Sequence, residues 1–128
     1  MARIRLLIAH QNPAMQQALV DLLQEHCDIT ATVADGNAVL KQVGTVCPDI
    51  VLLGVAFEGI TGFEIARRLR QSECRPKIIL VSLSESRDLV RAALAIGVSG
   101  YVFMSRLLDD LPAAIDAVCG GQVFEPTA

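Results

Sequence analysis

Few side chains in this 128-residue sequence could do chemistry, and their spacing limits what that chemistry can be. His10 has the imidazole of a metal ligand or a proton switch. No second imidazole or thiolate stands near it in sequence, since His26 and Cys27 follow a helix length later, so it reads as a satisfied, non-ligating histidine. Ser82 has no histidine at a spacing that marks a nucleophile and its base. Its structural role is a hydrogen bond at the end of a strand. Cys27, Cys47, Cys74 and Cys119 are widely separated and form no C-x-x-C pair. They are expected to be four reduced thiols, joined neither to each other nor to a metal. Glu58 is one carboxylate, and one carboxylate does not make a divalent-cation site. Asp49 stands at the start of an apolar strand, the wrong end for catalysis. No nucleophile–base pair or metal set can be assembled, so an enzyme is the least supported class. Neither a metal nor a cofactor is expected.

The elements that must position these residues alternate regularly. Ile4 to Ala9 is a short aliphatic strand, and Asn12-Pro13 opens a helix with Asn12 as its cap. Met15, Leu19, Leu22 and His26 follow at helical spacing. Residues 29–34 predict a second strand, and Asp35-Gly36-Asn37 turns into a helix carrying Val39, Leu40, Val43 and Val46. Pro48 stops that helix. Residues 49–54 form the near-continuous apolar run of a central parallel strand. Residues 58–62 are expected as a loop, followed by a helix with Phe63, Ala66, Leu69 and Arg70. Residues 77–81, a helix from about Glu85 to Ile96, and residues 98–103 come next. Asp109 or Asp110 is expected to cap a last helix that stops at Gly120-Gly121.

Five strands alternating with five helices predict an α/β domain with a doubly wound five-stranded parallel sheet. Its crevice lies at the carboxyl ends of the strands, which brings His10, Gln11, Gly54, Ser82 and Met104 into one neighbourhood. Residues 1–119 read as the domain and 120–128 as the start of a linker. With 52% apolar residues but only 4% aromatics, the core is aliphatic. The net charge of −3 and the lack of a Lys/Arg run predict no direct nucleic-acid contact. No stretch approaches the ~18 apolar residues of a membrane span, and the N-terminal apolar run is too short for a signal peptide. A soluble, cytoplasmic protein is expected.

Four segments in order, Ile8-Ala9-His10-Gln11-Asn12-Pro13, the strand Pro48 to Gly54, Thr61-Gly62-Phe63-Glu64 and Ala95 to Tyr101, give the chain a family likeness along essentially its whole length. It resembles the receiver domain of bacterial two-component response regulators, of CheY-like, flavodoxin-like fold. The Gly97-Val98-Ser99-Gly100-Tyr101 run and the Gly120-Gly121 stop are similar to the NarL/LuxR-like subfamily, whose receiver precedes a helix-turn-helix DNA-binding domain. The resemblance implies an acidic pair that helps hold magnesium, a phosphoryl-accepting aspartate, a lysine, a hydroxyl and a switch aromatic. Here the acidic pair falls on His10 and Gln11, the aspartate on Gly54 and the lysine on Met104. Ser82 keeps the hydroxyl and Tyr101 the aromatic. Glu58 stands where the subfamily often has proline.

The resemblance therefore implies a degenerate, phosphorylation-independent receiver that regulates by protein contact, with a DNA-binding output domain as its partner in a longer chain. The rival is a small-molecule sensor using a cleft between Ala9, Gly54, Val81 and Met104. A sizeable pocket at Gly54 favours the sensor, and a cleft closed by Met104 favours the contact module. In the last helix Leu111, Ile115 and Val118 recur at core spacing, leaving Ala113, Asp116, Ala117 and Gly120 outward. Small residues lose little side-chain entropy on contact. With Val20, off the core stripe of the first helix, they predict a homodimer through the first and last helices.

Overall fold

The computed structural model describes residues 3–126. The elements run β1 (Ile4–Ala9), α1 (Pro13–Leu23), β2 (Cys27–Val33), α2 (Gly36–Val46) and β3 (Ile50–Gly54). A small hairpin follows, β4 (Ala56–Phe57) and β5 (Ile60–Thr61), then α3 (Gly62–Arg70), β6 (Lys77–Ser82), α4 (Arg87–Ile96) and β7 (Gly100–Phe103). A 3-10 turn at Met104–Arg106 leads into α5 (Leu107–Cys119). The five long strands form one parallel sheet in the order β2-β1-β3-β6-β7. This is the doubly wound sheet with five helices that the alternation predicts.

Period-two alternation of strand side chains divides the core into two layers. Leu7, Ala9, Val51, Leu53, Ile78, Leu80, Tyr101 and Phe103 face α2, α3 and α4. Leu6, Ile8, Ile50, Leu52, Ile79, Val81 and Val102 face Leu19 and Leu23 of α1 and Leu111, Ala114, Ile115 and Val118 of α5. The first and last helices thus cover the same face. Val20 differs from the outward position expected of it: it is half-buried against this second layer.

Local chemistry sets the helix ends. Asn12 Oδ1 accepts from the N–H groups of Ala14 and Met15 at 2.8 and 3.2 Å, with Pro13 at the first helical position. Asp35, Thr61 and Ser86 cap α2, α3 and α4 in the same way. The cap expected from Asp109 or Asp110 is not made. The 3-10 turn runs straight into α5, and Arg106 stands at its N-cap without a side-chain bond. Asp110 instead pairs with Arg106 at 3.3 Å. His26 lies beyond α1, which ends at Leu23.

Cations at the strand entrances hold the opposite helix ends. Arg3 donates to the carbonyls of Gln24 and Cys27, Arg5 to those of Val46 and Cys47, and Lys77 to Val118. At Gln24, Val46, Cys47 and Val118 the positive charge meets carbonyls at a helix C-terminus and opposes the negative end of the helix dipole. The expectation of four free thiols is corrected: Cys47 and Cys74 are joined as a disulfide, while Cys27 and Cys119 are free. The two bonded cysteines are 27 residues apart, and only the pairing of β3 with β6 brings them side by side. Among the described residues no helix is long and apolar enough to cross a membrane.

Candidate functional site

Strand register assembles the site. Ala9 pairs with Leu53, Gly54 with Val81, and Ser82 with Phe103. One step beyond the first and last of these pairs stand His10 and Met104, so the carboxyl edge of the sheet carries His10, Gly54, Ser82 and Met104 together. Alternation then sorts them. His10, Gly54 and Met104 continue the rows facing α1 and α5. Ser82 and Tyr101 continue the rows facing α2, α3 and α4.

His10 and Gly54 fill one space. A Cβ added to Gly54 stands 2.9 Å from His10 Cδ2 and 3.4 Å from Nε2, so the imidazole occupies the volume that a side chain at position 54 needs. The ring is fixed from behind: its Nδ1 accepts the Asn12 N–H at 3.1 Å. Its own backbone is held on both sides, with its N–H donating to the Val33 carbonyl at 3.0 Å and its carbonyl accepting from Gln16 Nε2 at 2.8 Å. Because Nδ1 is an acceptor, the proton of the neutral ring is on Nε2. Burial holds the His10 pKa below the ordinary histidine value of 6.5.

Gly62 closes the site from below. A Cβ there collides with the Gly54 carbonyl oxygen and comes within 2.9 Å of Val55 Cα. The start of α3 can therefore lie against the end of β3 only with glycine at 62. The hairpin Ala56–Phe57/Ile60–Thr61, expected as a plain loop, pairs its two short strands antiparallel directly ahead of this contact.

An open cleft of about 580 Å³ lies above the sheet edge, lined among others by His10, Gln11, Val81, Ser82, Leu83 and Met104. Neither Ala9 nor Gly54 lines it. Ala9 faces the other layer, and the His10 ring lies over Gly54. The cleft is therefore not the one expected between Ala9, Gly54, Val81 and Met104, and Met104 is one wall of it rather than a lid. Ser82 is buried and its Oγ accepts the Ser84 N–H at 3.0 Å, the strand-end role expected for it. His10 and Ser82 share the cleft, but no hydrogen bond joins them. Tyr101 is fully buried and meets Phe103 edge-to-face at 5.9 Å, with its hydroxyl lacking a partner among the described residues.

A divalent cation such as magnesium prefers a set of hard oxygen ligands. The side chains here are an imidazole, an amide, a thioether and a hydroxyl, and they do not fit it. Glu58 lies in a separate hollow with Gln11, Ala34, Asp35 and Gly36. Sequence reasoning missed the part played by Arg87, whose guanidinium lies 5.8 Å from the Phe103 ring centre and donates to the Pro126 carbonyl at 2.7 Å. It also missed Phe124, which pairs beside Gly100.

A parallel sheet of order β2-β1-β3-β6-β7, with its crevice at the carboxyl ends of the strands, defines a receiver-type α/β domain. The chain belongs to the response regulator receiver domain family, whose model matches residues 6–116. It is 27% identical over 105 residues to the DNA-binding transcriptional activator EvgA of Escherichia coli K12, covering 82% of this chain and 52% of that protein. It is 34% identical over 107 residues to the transcriptional regulatory protein AfsQ1 of Streptomyces coelicolor, covering 81% of this chain and 47% of that protein. The chain spans about half the length of the curated relatives it matches. Its fold matches the isolated REC domain of RcsB from Salmonella enterica serovar Typhimurium with a TM-score of 0.89 at 17% identity, covering 97% of this chain and 94% of that one.

Two outcomes follow from the His10–Gly54 contact. Gly54→Ala should cost about 1–3 kcal/mol by overpacking, and much less in a His10→Ala background. A double-mutant cycle by denaturant unfolding measures this, and additive costs would show that the two positions do not compete for one volume. In an NMR titration His10 should protonate below the ordinary histidine value of 6.5. The fold favours the neutral ring, so its contribution to stability is complete above that value and is lost as pH falls through the lowered folded pKa. A measured pKa at or above the ordinary value would contradict the half-buried, Nδ1-accepting ring.

Proposed function

We propose that this domain is a receiver that has lost phosphoryl transfer and regulates through protein contacts, as the two-component-type regulatory part of a cytoplasmic DNA-binding transcriptional regulator. One observation carries the reading: where the family resemblance puts the phosphoryl-accepting carboxylate there is Gly54, and a neutral imidazole from His10 fills the space above it. With His10 and Gln11 at the acidic-pair positions and Met104 at the lysine position, the charges that would hold a cation and a phosphoryl group are absent as a set. Clustered carboxylates repel by about 1–4 kcal/mol per close pair at effective protein dielectrics. Without them, the packed ring holds the strand ends together with no cation to balance. Ser82 and Tyr101, the positions that keep family-type residues, serve here as a turn acceptor and a core aromatic.

The sensor reading gains less support, because the cleft does not reach Gly54 and is open rather than enclosing. In the preferred reading, residues 1–119 are the domain and 120–128 begin the connection to an output domain. The start of that connection lies along β7. Phe124 N–H donates to the Ser99 carbonyl at 2.9 Å, Tyr101 N–H donates to the Phe124 carbonyl at 3.1 Å, and Arg87 holds the Pro126 carbonyl. Relatives named as DNA-binding regulators about twice this length are consistent with such an arrangement.

After incubation with acetyl phosphate and magnesium, the chain should show no added phosphoryl group by intact mass. Gly54→Asp alone should not restore labelling, because its carboxylate would meet His10 and sit partly desolvated without a cation. Gly54→Asp with acids at 10 and 11 should do better. Labelling of the unaltered chain at the cleft, or single-mutant labelling equal to that of the triple mutant, would sink the reading.

The domain is also proposed to dimerise through α1 and α5. Ala113, Asp116 and Gly120 are exposed, and Ala117 is half-buried, on the side of α5 away from the core. RcsB, whose receiver shares this fold, has been seen as dimers on DNA. Sedimentation should show a dimer at high micromolar concentration that Ala113→Arg with Ala117→Glu dissociates. A monomeric unaltered chain, or a double mutant that still dimerises, would rule the interface out.

A further inference from the structure

All four cysteines gather at the end of the sheet remote from the cleft: Cys27 opens β2, Cys119 closes α5, Cys47 follows α2, and Cys74 precedes β6. Register brings two of them together. Ile50 pairs with Lys77 where β3 and β6 enter the sheet. Cys47 and Cys74 each stand three residues ahead of that pair, and each turn then passes through a proline, Pro48 or Pro76. Their Cα atoms lie 5.4 Å apart, within the span that a disulfide bridges.

The turn that carries Cys47 is held by more than the sulfur bond. Arg5 donates to the carbonyls of Val46 and Cys47 at 2.6 and 2.8 Å, and its backbone N–H donates to Asp49 Oδ2 at 2.9 Å. Cys47 and Arg75, with φ of 43° and 41°, are the non-glycine residues in left-handed backbone among those described. Both turns thus carry a conformation that glycine ordinarily takes, one on each side of the bond. Cys47 is exposed and Cys74 half-buried, so the pair lies at the protein surface. The other two cysteines contrast with this pair. Cys27 is buried, and burial first, then the nearby Cys119, pushes its pKa up. Burial and then Asp116 push Cys119 up as well. Thiols of that kind are poor nucleophiles at neutral pH.

We propose that Cys47 and Cys74 are a reversible dithiol–disulfide couple, a redox modification site whose reactants are small thiols and disulfides of the glutathione type. In oxidation the Cys47 thiolate attacks one sulfur of the small disulfide, forming a mixed disulfide and expelling one small thiolate. The Cys74 thiolate then attacks the Cys47 sulfur, forming the Cys47–Cys74 bond and expelling the second small thiolate. The two cysteine protons end on the two released thiols. The cysteine pair loses two electrons and the small disulfide gains them. Reduction runs the same steps backwards. The bond ties the end of α2 to the turn after α3 and closes a loop that contains β3, so its state sets the stability of the face built from α2 and α3.

The chain is equilibrated, without denaturant, across a series of reduced-to-oxidised glutathione ratios, quenched in acid, and then unfolded in denaturant with excess N-ethylmaleimide at near-neutral pH and weighed intact. Two alkyl groups are expected at the oxidising end and four at the reducing end, with full interconversion and a mapped 47–74 cross-link. The oxidised form should melt about 10 °C above the reduced form. Cys74→Ser and Cys47→Ser should each remove that difference, and circular dichroism checks their folding. Mapping on the unaltered chain decides the matter even if a variant folds badly. Four alkyl groups at every ratio, a cross-link through Cys27 or Cys119, or a bond that native-state thiols never reduce would each overturn the proposal.

Discussion

Strand β3 is hydrogen-bonded on both sides, to β1 from Leu6↔Ile50 to Ala9↔Leu53 and to β6 from Ile50↔Lys77 to Gly54↔Val81. All five of its residues are buried. A slip of one residue in either pairing would exchange the two core layers, turning Leu53 toward α1 and α5 and Leu52 toward α2 and α3. Burial on both faces forbids it. Because this register cannot move, whatever lies just beyond the strand ends is placed to within a residue. At one end that means an imidazole over a glycine. At the other it means two turns with a cysteine in each.

The His10–Gly54 contact is a matter of volume as much as charge. A carboxylate at the end of β3 needs room and a counter-charge. A glycine needs neither, but an empty space at the sheet edge would forfeit packing contacts. The ring supplies them, and its Nδ1 finds the Asn12 N–H in the cap of α1. The substitution at one strand end is thus matched by the residue on the neighbouring strand. Gly62 extends the same fit, since the approach of α3 to the Gly54 carbonyl leaves no space for a side chain.

Much of this was legible in the sequence. Near-continuous aliphatic runs within residues 4–9, 49–54 and 77–81 marked the inner strands, and Asn12-Pro13 marked a helix start in both cap and first-turn chemistry. The neighbourhood of His10, Gln11, Gly54, Ser82 and Met104 followed from fold class alone, because strand ends converge in such sheets. Contacts that depend on register rather than on local pattern were harder to see. The stacking of His10 on Gly54 needed the pairing of Ala9 with Leu53, and the joining of Cys47 to Cys74 needed that of Ile50 with Lys77. Equal offsets from those two strand starts were present in the sequence and could have signalled the second. Asp109 and Asp110 looked like caps because their type suits one. A 3-10 turn feeding α5 left no capping position for them to occupy. Val20 lay off the core stripe by spacing, yet the face shared with α5 is wide enough to cover it in part.

Along the outer side of β7, Phe124 takes up the Ser99 carbonyl and the Tyr101 N–H. Those groups would otherwise be an open row inviting another chain to add a strand. One of the two margins of the sheet is thereby closed to such templating along part of its length. The other, β2, is protected differently. Its register with β1 shifts between Leu6 and Leu7, and its solvent-facing positions carry Asp28 and Thr32. An irregular ladder with a charge and a hydroxyl on it is a poor surface for stacking like strands. Disturbing the segment around Phe124 and Pro126 would therefore raise the tendency of these domains to polymerise edge to edge, a failure that begins at the margin of the sheet while its core is still intact.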